Sequence, residues 1–186
     1  MAHALAQPTF SLDDYLAWEP TQTEKHDYVQ GEVFAMTGGT LRHNRAAMKS
    51  AGAFETHLDG SRCKVFLGDV KVAVDETAHW FYPDVVVTCS ERDLADLDAV
   101  AVREPVLLLE VLSPSTAAYD RGDKFLSLQK LTSLQEYALL DAVAPRLEVF
   151  RRNAAGRFEH YVFEGADTQA ELASIGWIGA ISRLLD

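Results

Sequence analysis

One segment of the chain is apolar except for a single acid: Val106-Leu107-Leu108-Leu109-Glu110-Val111-Leu112. A run of this composition predicts a strand, Pro105–Leu112, that is buried on both faces of a sheet. Side chains alternate along a strand, so Glu110 shares one face with Leu108 and Leu112. An ionised carboxylate there is costly unless a cation or strong donors meet it. Glu110 is therefore either a functional acid, a partner of a structural arginine, or a residue on a partly solvent-exposed face of the sheet.

The patterns on both sides of this strand predict an α/β (α+β) fold, with a mixed central sheet flanked by helices in one domain of residues 1–186. Strands Val65–Val74 and Phe81–Cys89 are expected before Glu110, and a helix at Ala117–Leu131 after it. The other expected elements are an N-terminal helix after Ser11, a hairpin of His26–Val29 and Glu32–Met36 around Gln30-Gly31, a helix at Arg42–Leu58, strands at Glu136–Leu140 and Leu147–Phe150, and a C-terminal β-hairpin from Phe150 to Phe163.

Composition and charge exclude several classes of protein. The 186 residues hold 17 Lys+Arg and 28 Asp+Glu, a formal net charge of −11, which argues against coating nucleic acid or anionic membrane by bulk charge. The longest apolar run, Val106–Leu109, is far below the ~18–20 residues of a membrane span. Met1–Phe10 shows no pattern of a secretory signal. Cys63 and Cys89 are too few for a disulfide framework, which favours a reducing, cytoplasmic setting.

A second acid, Asp84, follows Pro83 at the start of the buried run Val85-Val86-Val87. Taken alone, a Pro-Asp pair is common where a strand begins after a turn. Two acids on neighbouring strands change that interpretation, because facing carboxylates repel each other unless a cation lies between them. Magnesium takes oxygen ligands, so Asp84, Glu110 and a backbone carbonyl could form a Mg²⁺ site.

Two positively charged features could act together with these acids. Lys124 comes four residues after Asp120. The two residues are either a solvated ion pair on one helix, or Lys124 is held over the carboxylates to stabilise developing charge. His43 opens the first long helix, close to Arg42, Arg45 and Lys49. A helix start of this kind would attract phosphate, although a single histidine is more often structural.

Three other charged residues remain open. Glu32, directly after the hairpin turn, is either an additional acid near the metal or a solvent-facing strand residue. Asp69 and Lys71 share one strand face, where an edge-strand ion pair is the alternative to a functional role.

Several of these motifs together resemble one family, the bacterial "putative restriction endonuclease" family of the PD-(D/E)XK nuclease superfamily. The resemblance covers the chain from about Ser11 to the C-terminus. The motifs that carry it are Gly31-Glu32-Val33-Phe34-Ala35-Met36, His43-Asn44-Arg45, Asp69-Val70-Lys71-Val72, Tyr82-Pro83-Asp84-Val85, Leu109-Glu110-Val111-Leu112-Ser113-Pro114-Ser115-Thr116, Asp120-Arg121-Gly122-Asp123-Lys124 and Tyr137-Ala138-Leu139-Leu140-Asp141.

The resemblance implies a restriction-endonuclease-like core with a metal-dependent phosphodiesterase site. Asp84 would be the acid of the first half-motif and Glu110 that of the second, with Mg²⁺ (or Mn²⁺) held by Asp84, Glu110 and the Val111 carbonyl. The lysine expected two residues after the second acid is Leu112 here, and Lys124 on the following helix is the matching position.

In the catalytic site that the resemblance implies, Lys124 would position or help deprotonate the water, and Glu32 and His43 would assist. DNA is the implied substrate, and a homodimer would suit its two-fold symmetry.

Two alternatives remain at this point. The chain could be a binding or assembly module that kept the nuclease fold without turnover, which the acidic balance and Leu112 favour. It could also be an unrelated hydrolase that pairs Ser113 or Ser115 with His43, although no Gly-x-Ser-x-Gly motif is present. The apolar tail, with Ile175, Trp177, Ile178, Ile181, Leu184 and Leu185, could form a dimer surface or pack on the core.

Overall fold

The structure, a computed structural model, describes residues 9–36, 38–75 and 78–185. The prediction that Met1–Phe10 is not a secretory signal falls mostly on residues 1–8, which lie outside the described residues. The helices are α1 Leu12–Trp18, α2 Leu41–His57, α3 Glu91–Leu94, α4 Ala117–Arg121 and α5 Asp123–Leu128, with 3-10 turns at Glu19–Thr21 and Ile181–Leu184. None of these helices combines the length and hydropathy that a membrane span requires.

The strands form mixed sheets with helices packed on them, which confirms the predicted fold class. They are β1 His26–Val29, β2 Glu32–Ala35, β3 Lys64–Leu67, β4 Lys71–Ala73, β5 His79–Phe81, β6 Val85–Thr88, β7 Ala101–Val102, β8 Pro105–Val111, β9 Glu136–Asp141, β10 Arg146–Arg152, β11 Phe158–Glu164, β12 Gln169–Leu172 and β13 Trp177–Ala180. Their orders are β2-β1-β5-β4-β7, β11-β10-β9-β8-β6-β3 and β12-β13. Only β4·β7 and β8·β9 are parallel among the described pairs.

The N-terminal helix and hairpin form as local chemistry predicts. Ser11 caps α1, because its Oγ accepts the backbone N–H of Asp14 at 3.1 Å while the Asp14 carboxylate accepts from Ser11. Gln30 and Gly31 both have positive φ, 51° and 90°, which makes a tight turn that matches the twist of β1 and β2.

The two long predicted strands before Glu110 are wrong in extent, because each is broken and passes between sheets. Val65–Val74 divides into β3 and β4, and Phe81–Cys89 contains only β6 and the last residue of β5 as strand. Pro83 has no backbone N–H, so the ladder cannot continue through it. The Gly68 N–H donates to the Asp84 carbonyl oxygen at 3.1 Å. This hydrogen bond links the segment between β3 and β4 to the segment between β5 and β6.

The predicted helix Ala117–Leu131 is also interrupted, at Gly122 between α4 and α5. A Cβ at this position would lie 3.1 Å from the Ala118 carbonyl oxygen, so a larger residue would require the backbone to shift. The break changes the direction of the chain just before Lys124, which then faces the sheet.

Helix α2 and the C-terminal tail cover the same face of the six-stranded sheet. Phe54 of α2 and Trp177 of β13 pack edge to face, with ring centroids 5.8 Å apart. Ile175 and Ile181 are buried in that core, while Ile178 is exposed. The tail therefore packs on the core, and the alternative of an apolar dimer surface is not supported by its burial.

Cys63 and Cys89 form a disulfide, which the expected reducing setting does not predict. They lie directly outside β3 and β6, where Lys64 is opposite Thr88. The bond therefore fixes one end of the edge strand to its neighbour.

Candidate active site

The two acids lie opposite each other, Asp84 directly before β6 and Glu110 within β8. Val85 is paired with Leu109 in this antiparallel ladder, so the next pair outward is Asp84 and Glu110. Directly opposed residues have Cβ atoms about 4.5–5.5 Å apart. Glu110 is 5% exposed. Register alone therefore places both carboxylates at the same end of strands β6 and β8, which we call the sheet edge.

Asp84 is held in place by the strand beside it and by the helix above it. Its Oδ2 accepts the backbone N–H of Val111 at 2.7 Å and lies 3.2 Å from His43 Nε2. Hydrogen bonds to Oδ2 leave the other carboxylate oxygen of Asp84 open to a ligand.

Lys124 reaches this pair from α5. Its Nζ lies 2.6 Å from Glu110 Oε1 and 5.7 Å from the centre of the Phe81 ring. This buried contact is a charge-assisted ion pair, which raises the pKa of Lys124 and opposes the rise in the pKa of Glu110. The position of the missing lysine, Leu112, is instead half-buried against the apolar core.

Two further acids belong to this cluster, and the sequence analysis did not assign them to the site. Asp27 on β1 is buried and accepts the backbone N–H of Tyr82 at 2.9 Å. Asp120, at the end of α4, is also buried. Since His26–Val29 holds two polar residues in four, the sequence gives only a weak signal for Asp27.

The cluster has more acids than bases. Burial raises the pKa of Glu110, and it raises the pKa of Asp27 and of Asp120 as well. Burial lowers the pKa of Lys124, but the neighbouring carboxylates of Glu110, Asp27 and Asp120 outweigh it, so the pKa of Lys124 rises. The pKa values of the three acids therefore rise mainly because the carboxylates are desolvated, whereas the pKa of Lys124 rises because these carboxylates surround it.

His43 is part of this site through its contact with Asp84. It lies in the first turn of α2, where Thr40 Oγ1 accepts its backbone N–H at 3.2 Å. The hydrogen bond with Asp84 raises the pKa of its imidazole. Ser113 Oγ is bonded within its own turn, 2.9 Å from Thr116 Oγ1, so the geometry does not support a serine–histidine pair.

The donors at this edge fit a hard divalent cation, although no preformed cage is present. No group of three or more His, Cys, Asp or Glu side chains within residues 9–36, 38–75 and 78–185 is arranged to hold a metal. Magnesium, however, usually takes one or two carboxylates and completes its shell with water and substrate oxygens. The carboxylates of Asp84 and Glu110 are two such ligands, and Oε1 of Glu110 is already paired with Lys124.

Three charged residues considered from the sequence lie elsewhere. Glu32 is exposed on β2 and makes no contact with the carboxylate cluster. Asp69 lies in the turn before β4 and pairs with Lys25, so it does not pair with Lys71. Lys71 is buried, with Nζ 5.1 Å from the centre of the Tyr82 ring.

The two residues at the end of α4 have different partners. Arg121 Nη2 lies 2.6 Å from the buried Glu148. Asp120 and Lys124 are not an exposed pair on one helix, because they lie on α4 and α5 and are both buried.

Comparison with known proteins gives similarity over nearly the whole chain. The family model Uma2, described as "Putative restriction endonuclease", matches residues 12–182. The uncharacterized protein slr1290 of Synechocystis sp. is 37% identical over 169 residues, which cover 91% of this chain and 87% of that protein. The uncharacterized protein sll1609 of the same organism is 32% identical over 139 residues, covering 75% and 78%.

A solved structure shares the fold. It is described as a "putative nuclease belonging to DUF820" from Anabaena variabilis, and it superposes with a TM-score of 0.75 at 18% sequence identity. The match covers 94% of this chain and 97% of that chain, so the similarity extends over both molecules.

Proposed function

This chain belongs to the Uma2 "Putative restriction endonuclease" family, and we propose that it is a metal-dependent endonuclease that hydrolyses phosphodiester bonds in DNA. The observation that carries the proposal is the meeting of Asp84, Glu110 and Lys124 at one sheet edge. These residues come from two strands and a helix, and two of them are buried charges. Buried charges of this kind are costly, which favours a functional reason for keeping them.

Asp84, Glu110 and the Val111 carbonyl would hold Mg²⁺ or Mn²⁺. The ion, when bound, supplies a Lewis acid for the scissile phosphate and a water of lowered pKa. His43 and the Val111 N–H orient the Asp84 carboxylate through Oδ2, so its second oxygen keeps a fixed direction.

Lys124 acts in this proposal as a fixed positive charge. A general base needs a pKa near the working pH, whereas the surrounding carboxylates hold the proton on Nζ. The ammonium would therefore position water and stabilise negative charge that develops on the phosphate oxygens. Phe81 and the sheet exclude water from one side of it, which strengthens that interaction.

The experiment is a nicking assay on supercoiled plasmid with Mg²⁺, Mn²⁺ or EDTA. We expect metal-dependent nicking that falls by at least about 10²-fold in Asp84→Asn, Glu110→Gln and Lys124→Met. Asp98→Asn, an exposed acid outside the cluster, is the matched control and should keep wild-type activity. If the wild type nicks no DNA with either ion and calorimetry detects no binding of either, the proposal is wrong.

A nuclease-fold binding module without turnover is the second candidate. The observation in its favour is the direct Lys124–Glu110 ion pair, which neutralises one ligand carboxylate without any metal. Retained DNA binding without nicking in either metal would favour this candidate over the endonuclease.

A further inference from the structure

Helix α2 carries a cationic face that begins at the candidate active site. Residues 41–54 contain Arg42, Arg45 and Lys49 and no acid, in a chain whose net charge is −11. All three side chains are exposed. We name this group the α2 cationic strip.

The strip lies on the side of α2 that does not pack on the sheet. At about 100° per residue, its three members fall within about 60° of the helix circumference. The buried residues Ala47 and Phe54 lie on the other side, and so does His43, which points inward to Asp84. The same helix therefore joins the carboxylate cluster to an outward row of cations.

Local chemistry does not account for the strip. Arg42 lies in the first turn of α2, where the helix dipole disfavours a cation, and that turn holds no acid. Within the described part of the chain, neither Arg42 nor Lys49 has a carboxylate partner within ion-pair distance. Two exposed cations of this kind in an acidic protein point to an anionic partner.

We propose that the α2 cationic strip binds the phosphate backbone of duplex DNA and leads one strand to the candidate active site. The inference rests on the proposed endonuclease function and names its substrate-binding surface. Seven residues separate Arg42 from Lys49, a rise of about 10 Å along the helix. One strand of B-form DNA presents a phosphate about every 3.4 Å along the duplex axis, so the strip spans about three phosphates.

The test measures binding of a fluorescein-labelled duplex by anisotropy across a range of KCl in EDTA, where no cleavage occurs. The test variant is Arg42→Gln/Lys49→Gln. The matched control is Lys130→Gln/Arg157→Gln, which removes two exposed charges elsewhere and lowers the net charge by the same amount. Circular dichroism checks that both variants keep the fold.

The slope of log K against log salt should fall in magnitude by about 1.8 in the test variant, because each lost phosphate contact removes about 0.9. Affinities that coincide at 1 M salt then differ by about 60-fold at 0.1 M. The control should keep the wild-type slope. Equal losses in the two variants would show that only net charge matters, and unchanged binding in the test variant would show that the strip does not touch DNA; either result overturns the inference.

A single-stranded oligonucleotide of the same sequence is the second arm. We expect weaker binding than to the duplex, and binding of the single strand alone would overturn the duplex assignment. Nicking with Mg²⁺, measured separately, distinguishes the two proposals. If DNA binds through the strip but no nicking occurs, the nuclease proposal is wrong and the binding surface stands. If nicking is unchanged in Arg42→Gln/Lys49→Gln, the nuclease proposal stands and the α2 cationic strip is not its DNA-binding surface.

Discussion

Replacing Lys124 by methionine removes the one ammonium inside the carboxylate cluster while keeping a side chain of similar length. Glu110 and Asp27 are buried around it and depend on its charge, whereas Asp120 also has the charge of Arg121 nearby. Removing one member of a buried ion pair costs about 3–5 kcal/mol of unfolding free energy. The carboxylates can take up protons to relieve part of this, so we expect the lower end, about 3 kcal/mol at pH 8.

That loss has a definite size in a melting experiment. For a chain of 150–250 residues, each kcal/mol moves the melting temperature by about 2–4 °C, so Lys124→Met should melt about 6–12 °C below the wild type. Lys130→Met removes an exposed lysine just beyond α5 and serves as control, with an expected change within about 0.5 kcal/mol.

The deficit should also depend on pH, and its sign follows from the shift at Glu110. Burial raises the pKa of Glu110 well above its ordinary value, and loss of Lys124 raises it further. An acid whose folded pKa exceeds the unfolded value stabilises the fold at low pH, and this contribution is lost as the pH rises through the folded pKa. Lys124→Met should therefore approach the wild type in melting temperature at pH 5 and diverge from it at pH 8.

Thermal unfolding followed by circular dichroism from pH 5 to pH 8 measures both effects. The reasoning is refuted if Lys124→Met melts with Lys130→Met at pH 8, or if its deficit is the same at every pH. Either result would mean that the carboxylates do not depend on Lys124 for compensation.

Three further predictions concern stability. Asp27→Ala should cost about 1–3 kcal/mol in urea unfolding, because it leaves a buried backbone N–H unpaired, whereas Asp27→Asn keeps an acceptor and should cost less. Burial raises the pKa of Glu148, but the hydrogen bonds from Arg121 outweigh it and lower that pKa below 4.5. Glu148→Gln should therefore lose about 1–3 kcal/mol of unfolding free energy at pH 7. The difference in unfolding free energy from the wild type should shrink as the pH falls below 4.5. Cys63→Ser/Cys89→Ser should lose about 3.5 kcal/mol by loop-closure entropy over the separation of 26 residues, and dithiothreitol should reproduce that loss in the wild type only.

The extent of the strands shows where sequence patterns reach their limit. Apolar residues recur through Val65–Val74, although β3 is at most half-buried and β4 is fully buried, and the two strands lie in different sheets. Gly68 and Pro83 are the only local signs of the two breaks, and such residues also occur within strands at edges and bulges. The hairpin at Gln30-Gly31 and helix α2 could be predicted, since turn chemistry and helical periodicity are local properties.

The candidate site divides in the same way. Asp84 and Glu110 stand out from sequence because an acid in an apolar strand breaks a local pattern. Lys124 stands out less, because its pairing with Glu110 depends on how α5 docks after the break at Gly122. From sequence, a solvated pair with Asp120 is an equally open interpretation, and the family resemblance favours the functional one. Asp27 gives a weak signal, because β1 has only four residues and His26 beside it is also polar.

The supply of Lys124 by α5 has a consequence for biosynthesis. A nascent chain emerges from the ribosome in sequence order, so Asp27, Asp84 and Glu110 are available before the lysine that offsets them. The parallel neighbour of β8, strand β9, is made later still. An N-terminal fragment that ends before α4 therefore holds the acids of the site without the cation or the second half of the ladder. The proposed nuclease activity therefore requires translation through α5, and a product truncated before α4 would carry Asp27, Asp84 and Glu110 without Lys124.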